Sequence, residues 1–389
     1  MSKMSTSDSR SFHGKGRFRH DPALPPPVNA LRLRWWLERA TFRWSDRLPG
    51  GDTRRWSRLR RRFLAFGEPG AQAALTAYER GALSGFDNLR LIAQLMAQSG
   101  DMAGYEALLR AYDGALVLSD APRKAFFGEG GGMGVVNVYR KLETPDEARF
   151  EKIYERSGVK RPRNALARSI FARDVVLARY PVIDTPALRE RRDGERLTVL
   201  EFEFVDFQPL HPDLIEKVVP VVQRLAAMDI APFGATHERF LRPYSFPGWS
   251  RRIEKRLRAR DPALAAAYLR DHAGWLARIE RHPLVFSHGD LNFENVSASG
   301  MVLDWDNAGF RHYGFDAAYP LRRIRFEDAD ALLAFCDAHY TRPASAARDR
   351  FAFAFFFFWM MPARKVQWGN LPLFDALLAR LPELAAAAE

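Results

Sequence analysis

Apolar residues between positions 31 and 115 recur at the spacing of helices, among many arginines. Leu89, Ile92 and Met96 form one such run, and glycines separate successive runs. Because an apolar residue every three or four positions forms one face of a helix, the pattern predicts short antiparallel helices packed as hairpins. Residues 1–30 are rich in Ser, Gly, Arg and Pro and show no such period, which predicts a flexible tail.

The pattern changes near residue 123, where the alternation of strands replaces the helical spacing. Four segments alternate in this way: Ala125–Phe127, Val135–Tyr139, Phe150–Tyr154 and Leu197–Val205. Helical spacing returns in 163–180 and again after residue 206, and a small sheet followed by helices is an α+β order. We therefore predict four segments: a flexible basic tail at 1–30, a basic all-α helical-hairpin domain at 31–122, a sheet domain at 123–206 and a helical domain at 207–389.

The net charge of +12 is concentrated in the N-terminal third of the chain. Residues 1–125 hold 21 basic and 12 acidic side chains, a surplus of nine, whereas the rest is nearly balanced. Clustered Lys and Arg attract anions, so residues 31–62 are interpreted as a peripheral contact with an anionic membrane or acidic partner, or as a solvated arginine-rich surface. Sequence signatures of RNA-binding modules are absent, and we expect no specific nucleic-acid partner.

Cysteine content and hydropathy favour a cytoplasmic protein. The single cysteine, Cys336, cannot form an internal disulfide or a thiolate cluster. The N-terminus lacks the apolar segment of a secretory signal. The longest apolar run, Phe351–Ala363, contains a proline and is shorter than the roughly 20 residues that span a bilayer, so it predicts a buried helix.

Polar side chains suited to phosphoryl transfer are grouped after residue 287. His288-Gly289-Asp290 is followed by Asn295, and Asp304 comes nine positions after that. Phosphoryl transfer requires a carboxylate that accepts the proton of the acceptor hydroxyl, and oxygen ligands that hold magnesium against the nucleotide phosphates. Asp290, Asn295 and Asp304 supply these groups.

The flanking apolar residues predict how the last two side chains meet. Pro283–Phe286 and Met301–Leu303 are expected as strands, with a turn at 297–300 between them. Such a hairpin would bring Asn295 and Asp304 together at one rim, which suits a metal ion.

The segment resembles the catalytic loop of the aminoglycoside phosphotransferase and choline kinase family, whose fold is related to that of protein kinases. The resemblance implies that Asp290 is the catalytic base, that Asn295 and Asp304 bind Mg²⁺, and that the co-substrate is ATP. It also implies that His288 supports the loop and that Asp316 opens the next helix and braces it. The expected fold is therefore a two-lobed protein-kinase-like domain, with a nucleotide-binding N-lobe at 123–206 and a helical C-lobe at 207–389.

Two further parts of the nucleotide site are sought upstream. The glycine cluster is expected to cover the phosphates through Gly130, Gly131, Gly132 and Gly134. For the lysine of the third strand there are two candidates, Lys152 and Lys141; Lys152 fits better, because Lys141 leaves no room for a turn and a third strand after the glycines. Strand alternation places Lys152 on the same face as Phe150, which would cover the adenine; an exposed surface lysine is the alternative.

One departure from the family pattern concerns the partner of this lysine. The family's next helix usually supplies a glutamate, but 163–180 contains none, and Asp174 is its only acid. Either Asp174 takes this role, or Lys152 is held in another way, or the nucleotide site is weakened.

The remaining expectations concern adenine and the acceptor. The strand Leu197–Val205 resembles the one that leads into the hinge, where the backbone of Glu201, Phe202 and Glu203 would bind adenine. Asp316 follows Asp304 by only twelve positions, which leaves no room for a peptide-docking segment and favours a small-molecule hydroxyl such as a sugar, glycan or amino alcohol. The alternative function is a catalytically weak or inert nucleotide-binding scaffold that recruits an anionic partner through its basic N-terminal domain.

Overall fold

The computed structural model describes residues 89, 93, 102–118, 123–127, 138–143, 148–156, 165–205, 208, 210–233, 246–321, 324–360 and 371–389. The chain divides into two compact units, Met1–Gly158 with Ala187–Phe204, and Val159–Pro186 with Val205–Glu389. The described part of the predicted helical-hairpin domain thus falls in the same unit as the sheet. Residues 159–186, predicted within the N-lobe, fall in the second unit.

The first unit is built on a five-stranded antiparallel sheet. Its strands are β1 (Arg123–Phe127), β2 (Val138–Glu143), β3 (Ala148–Glu155), β4 (Leu188–Asp193) and β5 (Leu197–Glu203), in the order β1-β2-β3-β5-β4. The central strand β5 is buried at six of its seven positions, as its sequence Leu-Thr-Val-Leu-Glu-Phe-Glu leads one to expect. The strand predicted at Val135–Tyr139 shares only its last two residues with β2. Strand β4 was not predicted, because Leu188 is its only apolar residue.

A helix before the sheet is attached to the β4–β5 turn through one carboxylate. Helix α1 (Met102–Tyr112) ends beside Asp113, whose oxygens accept backbone N–H bonds from Arg196 and Leu197 at 2.8 Å each, Glu195 at 3.1 Å and Ala115 at 3.2 Å. Burial alone would raise the pKa of Asp113, but these four donors outweigh it and hold the pKa below its usual value. A Cβ at Gly194 would lie 2.2 Å from this carboxylate, so the turn requires glycine.

The second unit is mainly helical. Its described elements are α2 (Ala165–Ile170), a π-helix (Phe171–Leu177), a 3₁₀ helix (Pro212–Lys217), α3 (Val219–Ala226), a 3₁₀ turn (Ala231–Phe233), α4 (Phe246–Arg260), α5 (Pro262–Glu280), β6 (Leu284–Ser287), a 3₁₀ turn (Trp305–Asn307), β7 (Gly309–His312), α6 (Phe315–Leu321), α7 (Ala329–His339), a 3₁₀ turn (Pro343–Ser345), α8 (Ala346–Met360) and α9 (Leu371–Ala387). The helix predicted at 163–180 is therefore α-helical at 165–170, widens into a π-helix at 171–177 and returns to α-helix at 178–179.

Helix α8 forms the centre of the second unit. Every residue from Phe351 to Met360 is at most 2% exposed, which confirms that the aromatic-rich run is a buried helix. Helix α6 packs on it, with the rings of Phe315 and Phe356 edge to face at 5.6 Å. Gly314, at φ 97°, lies so close to α8 that a Cβ there would be 3.3 Å from the backbone of Ala352. Among the described residues, no helix combines the length and apolar character needed to cross a membrane.

Candidate active site

The segment with the candidate catalytic residues connects two paired strands. Strand β6 pairs with β7, Ser287 opposite Gly309, and residues 288–308 form the loop between them. The predicted pairing of Pro283–Phe286 with Met301–Leu303 is wrong, because β6 pairs with β7 instead. A smaller hairpin does form, through a bridge between Val296 and Val302.

His288 holds the loop together from inside. Its side chain is fully buried, with the ring 4.8 Å from that of Trp305. The backbone N–H of Asp290 donates to Nδ1 at 3.3 Å, and Nε2 is 2.7 Å from the carbonyl oxygen of Leu303. An imidazole with its proton on Nε2 satisfies both contacts. The prediction that His288 supports the loop is confirmed.

Asp316, in the first turn of α6, binds the start of the loop. Its carboxylate accepts the backbone N–H of His288 at 2.7 Å and that of Gly289 at 3.0 Å. Hydrogen bonds to a charged acceptor are the stronger kind. The predicted bracing role of Asp316 is therefore confirmed, and α6, itself supported by the aromatic helix α8, fixes the position of the loop.

Asp290 is half-buried and its carboxylate is oriented by two neighbours. The hydroxyl of Tyr319 and the side-chain amide of Asn292, the latter at 3.3 Å, both donate to Oδ1. Within the described part of the chain, the hydrogen bonds to this carboxylate all end on Oδ1. Oδ2 accepts no hydrogen bond from the described residues.

Asn295 and Asp304 lie at the ends of the small hairpin, as predicted. The backbone N–H of Leu303 donates to the carbonyl oxygen of Asn295 at 2.9 Å, which places the next residue, Asp304, beside it. The amide nitrogen of Asn295 donates to the carbonyl oxygen of Asp290 at 2.8 Å, so Oδ1 is at the opposite end of the amide. Both side chains are half-buried.

The backbone of Asp304 has an unusual conformation. At φ 61° it is the one non-glycine residue with positive φ in the described ranges, a conformation that aspartate tolerates better than most residues. The turn that follows it is held by Trp305, whose Nε1 donates to Thr185 at 3.0 Å, and by Arg168, which donates to the carbonyl oxygen of Ala308 at 2.6 Å. The carboxylate is thus presented from a rigid turn.

The donor set is consistent with magnesium. One carboxylate and one amide oxygen, together with nucleotide phosphates and water, are the oxygen ligands that Mg²⁺ takes in such sites. The described residues contain no cluster of three or more His, Cys, Asp or Glu that could hold a metal ion.

Arg311 is a buried cation that the sequence interpretation missed. Its guanidinium donates to Oγ of Ser287 at 3.1 Å and to the carbonyl oxygen of Asn307 at 2.8 Å. A Cβ on Gly289 would lie 2.2 Å from the guanidinium, so the Gly in the His-Gly-Asp triplet makes room for it. Tyr319 was also missed; the three-residue spacing from Asp316 on a helix was the available indication, because it places both side chains on one face.

Lys152 lies on the third strand, β3, in the first unit, as predicted, and Lys141 lies on β2. Lys152 is only 7% exposed, with Nζ 5.3 Å from the ring centre of Tyr154. The alternative of an exposed surface lysine is therefore wrong. Phe150 pairs with Phe202 across the sheet, and their rings are 6.5 Å apart.

The opposite face of the sheet carries an ion-pair cluster. Arg192 binds Glu151, Glu190 and Glu201, and Arg149 binds Glu201 at 2.5 Å. Burial acts to raise the pKa of Glu201, but its bonds to the two arginines keep it below its usual value. The side chain of Glu201 thus forms ion pairs with Arg149 and Arg192 of neighbouring strands.

The predicted adenine-binding backbone is partly occupied. The N–H of Glu203 donates to Ala187 and that of Phe204 to Ala148, each at 3.0 Å, and β5 is paired on both sides at Glu201 and Phe202. The backbone N–H groups of Glu203 and Phe204 therefore already have acceptors within the protein, and β5 lies between β3 and β4 in the sheet. Gly130, Gly131, Gly132 and Gly134 lie outside the described residues, as does the basic segment 31–62.

Comparison with known proteins decides the family. Residues 136–356, more than half of the chain, match the model of the APH phosphotransferase enzyme family. The chain belongs to this family. The matched range begins before β2 and includes both Lys152 and the loop with Asp290, so the family assignment and the resemblance noted from single motifs agree. No curated protein sequence matches the chain.

Several solved structures of APH phosphotransferases are similar to it. A thermostable mutant of aminoglycoside phosphotransferase APH(4)-Ia, in complex with ADP and hygromycin B, is 14% identical over 72% of this chain and 98% of that one, with a TM-score of 0.39. APH(3'')-Id from Streptomyces rimosus is 19% identical over 67% and 98%, also at 0.39. Spectinomycin phosphotransferase APH(9)-Ia, in complex with ADP and spectinomycin, is 12% identical over 72% and 96%, at 0.37. Because these TM-scores are below 0.5, the family assignment rests on the match of residues 136–356 to the family model.

Proposed function

We propose that this phosphotransferase transfers the γ-phosphoryl group of ATP to a hydroxyl of a small molecule, with Asp290 as the catalytic base. The observation that carries the proposal is the loop itself, in which His288 and Asp316 fix the backbone around Asp290 and the small hairpin places Asn295 next to Asp304. A rigid loop that presents one oriented carboxylate and two oxygen ligands is what in-line phosphoryl transfer requires.

Asp290 would accept the proton of the acceptor hydroxyl at Oδ2. Its other oxygen is held by Tyr319 and Asn292, so the carboxylate cannot turn freely away from the acceptor. A base positioned in this way typically contributes about 10²–10⁴ to the rate. The proton leaves the hydroxyl oxygen as that oxygen attacks phosphorus, and the bond from phosphorus to the bridging oxygen of ADP breaks.

Asn295 and Asp304 would hold Mg²⁺ through Oδ1 and the carboxylate. When bound, the ion neutralises charge on the phosphates. The left-handed turn at Asp304 and the Asn295–Asp290 hydrogen bond fix the two ligands before any nucleotide arrives. Such preorganisation reduces the cost of ordering the site on binding.

In the first unit, Lys152 is proposed to contact the nucleotide phosphates, because it is a buried cation on the third strand, where the family resemblance expects the phosphate-binding lysine. Adenine binding by the backbone of Glu201, Phe202 and Glu203 stays a proposal. The role of the glycine cluster and of Asp174 also stays a proposal.

The acceptor is proposed to be a sugar, a glycan or an amino alcohol. Between Asp304 and Asp316 the chain forms only a 3₁₀ turn and the short strand β7, so it contains no segment long enough to dock a peptide. The second candidate, an inert nucleotide-binding scaffold, is favoured by the absence of a glutamate in 163–180 and opposed by the ordered loop around Asp290.

An acceptor screen separates the two functions. Purified full-length protein would be incubated with Mg·ATP and, separately, D-glucose, D-mannose, glycerol, choline and ethanolamine, and ADP release would be measured. We expect at least one acceptor to raise ADP release above hydrolysis in water. Tight ATP binding with no turnover toward any acceptor or water would favour the scaffold.

A further inference from the structure

Helix α6 contacts the catalytic loop at two points three residues apart. Asp316 accepts the backbone N–H groups of His288 and Gly289, and the hydroxyl of Tyr319 donates to Oδ1 of Asp290. Residues at this spacing lie on the same face of a helix. The first contact fixes the backbone before Asp290, and the second fixes the side chain of Asp290.

We propose that Tyr319 is a positioning residue for phosphoryl transfer, which selects Oδ2 of Asp290 as the oxygen that takes the acceptor proton. The inference rests on the proposed function of Asp290 and adds a residue that acts through it. Tyr319 occupies Oδ1 together with Asn292, whose contact at 3.3 Å is long for a hydrogen bond. The phenol therefore supplies the stronger of the two restraints on the carboxylate.

The position of Tyr319 is itself well determined. Its ring lies 5.9 Å from that of Phe315, which in turn packs edge to face on Phe356 of the buried helix α8. The side chain is half-buried, so it belongs to the rim of the site rather than to the core. A hydroxyl at a rim that binds a carboxylate of the loop has a role that core packing does not explain.

The test compares Tyr319→Phe with Tyr313→Phe. Both variants remove one phenolic hydroxyl, but the hydroxyl of Tyr313 donates to the carbonyl oxygen of Tyr340, away from Asp290. Turnover would be measured with Mg·ATP and the most active acceptor of the screen, and in parallel with water as the acceptor. Because an oriented hydrogen bond to a charged group is lost, Tyr319→Phe should lower kcat by about tenfold and leave KM for ATP within about twofold.

A double-mutant cycle distinguishes positioning from general support. In an Asp290→Asn background, Tyr319→Phe should change the remaining rate by less than about twofold, because its effect runs through the carboxylate. Tyr313→Phe should leave kcat unchanged in both backgrounds.

The outcomes separate the two proposals. An unchanged kcat in Tyr319→Phe, or an equal loss in the presence and absence of the Asp290 carboxylate, would overturn the role of Tyr319 and leave the proposed base in place. A nearly normal kcat in Asp290→Asn would overturn the proposed base, and the role of Tyr319 with it.

Discussion

Replacing Asp113 by alanine should destabilise the first unit strongly, although Asp113 lies outside the candidate site. The variant removes the acceptor of four backbone N–H groups, at 2.8, 2.8, 3.1 and 3.2 Å, three of which join the end of α1 to the β4–β5 turn. Each buried donor left without an acceptor costs about 1–3 kcal/mol. Ala115, Glu195 and Arg196 are exposed and their N–H groups can bind water, so the buried N–H of Leu197 accounts for most of the cost and we expect a total loss of about 2–3 kcal/mol.

The assay is unfolding in urea, combined with hydrogen exchange at the buried amide of Leu197. The matched control is Glu195→Ala, which removes an exposed carboxylate from the same β4–β5 turn but keeps all four backbone bonds to Asp113, and which should cost about 0.5 kcal/mol or less. Equal destabilisation by the two variants, with unchanged exchange at Leu197, would refute the reasoning.

The pH dependence of this effect has a definite sign. Since the pKa of Asp113 is lowered in the folded state, its contribution is complete above its unfolded pKa of about 3.9 and is lost as the pH falls through the folded value. The difference in stability between the wild type and Asp113→Ala should therefore be constant near neutral pH and shrink below about pH 4.

Two further predictions concern the nucleotide site. Asp304→Ala should abolish the Mg²⁺-dependent tightening of ATP binding measured by calorimetry, with Asp304→Asn as a control that keeps the left-handed backbone tolerable; the same Mg²⁺ effect in the alanine variant would refute the metal assignment. Lys152→Met should raise KM for ATP and lower kcat, because it removes a charge that stabilises the phosphates in both ground and transition states, whereas Lys141→Met on β2 should change neither by more than about twofold. Indifference at both lysines would favour the inert scaffold.

The sequence was sufficient for the parts of the site that depend on local order. Asn295 and Asp304 meet because a short turn and one bridge bring them together, and Lys152 was preferred over Lys141 for the third strand because Lys141 follows the glycines too closely. His288 and Asp316 were placed by the resemblance, and the structure confirms their contacts with the loop.

The features that sequence interpretation missed depend on contacts between distant residues. Strand β4 has almost no apolar alternation; it is a strand through its backbone pairing with β5, and its Arg192 binds Glu201 of β5 and Glu151 of β3. Arg311 was missed because a single arginine in the short strand β7 gives no indication that it lies against Gly289. The pairing of β6 with β7 was likewise missed, because the partner strand begins only at Gly309, after a long loop, and local sequence patterns do not indicate which distant segment pairs with β6.

The most direct test of the central claim is the effect of Asp290→Ala on turnover and on nucleotide affinity in the same preparation. With Mg·ATP and the best acceptor of the screen, the rate should fall by about 10²–10⁴, while the Kd for ATP stays within about twofold of the wild-type value, because Asp290 acts on the acceptor rather than on the nucleotide. A rate close to that of the wild type would contradict the assignment of Asp290 as the base.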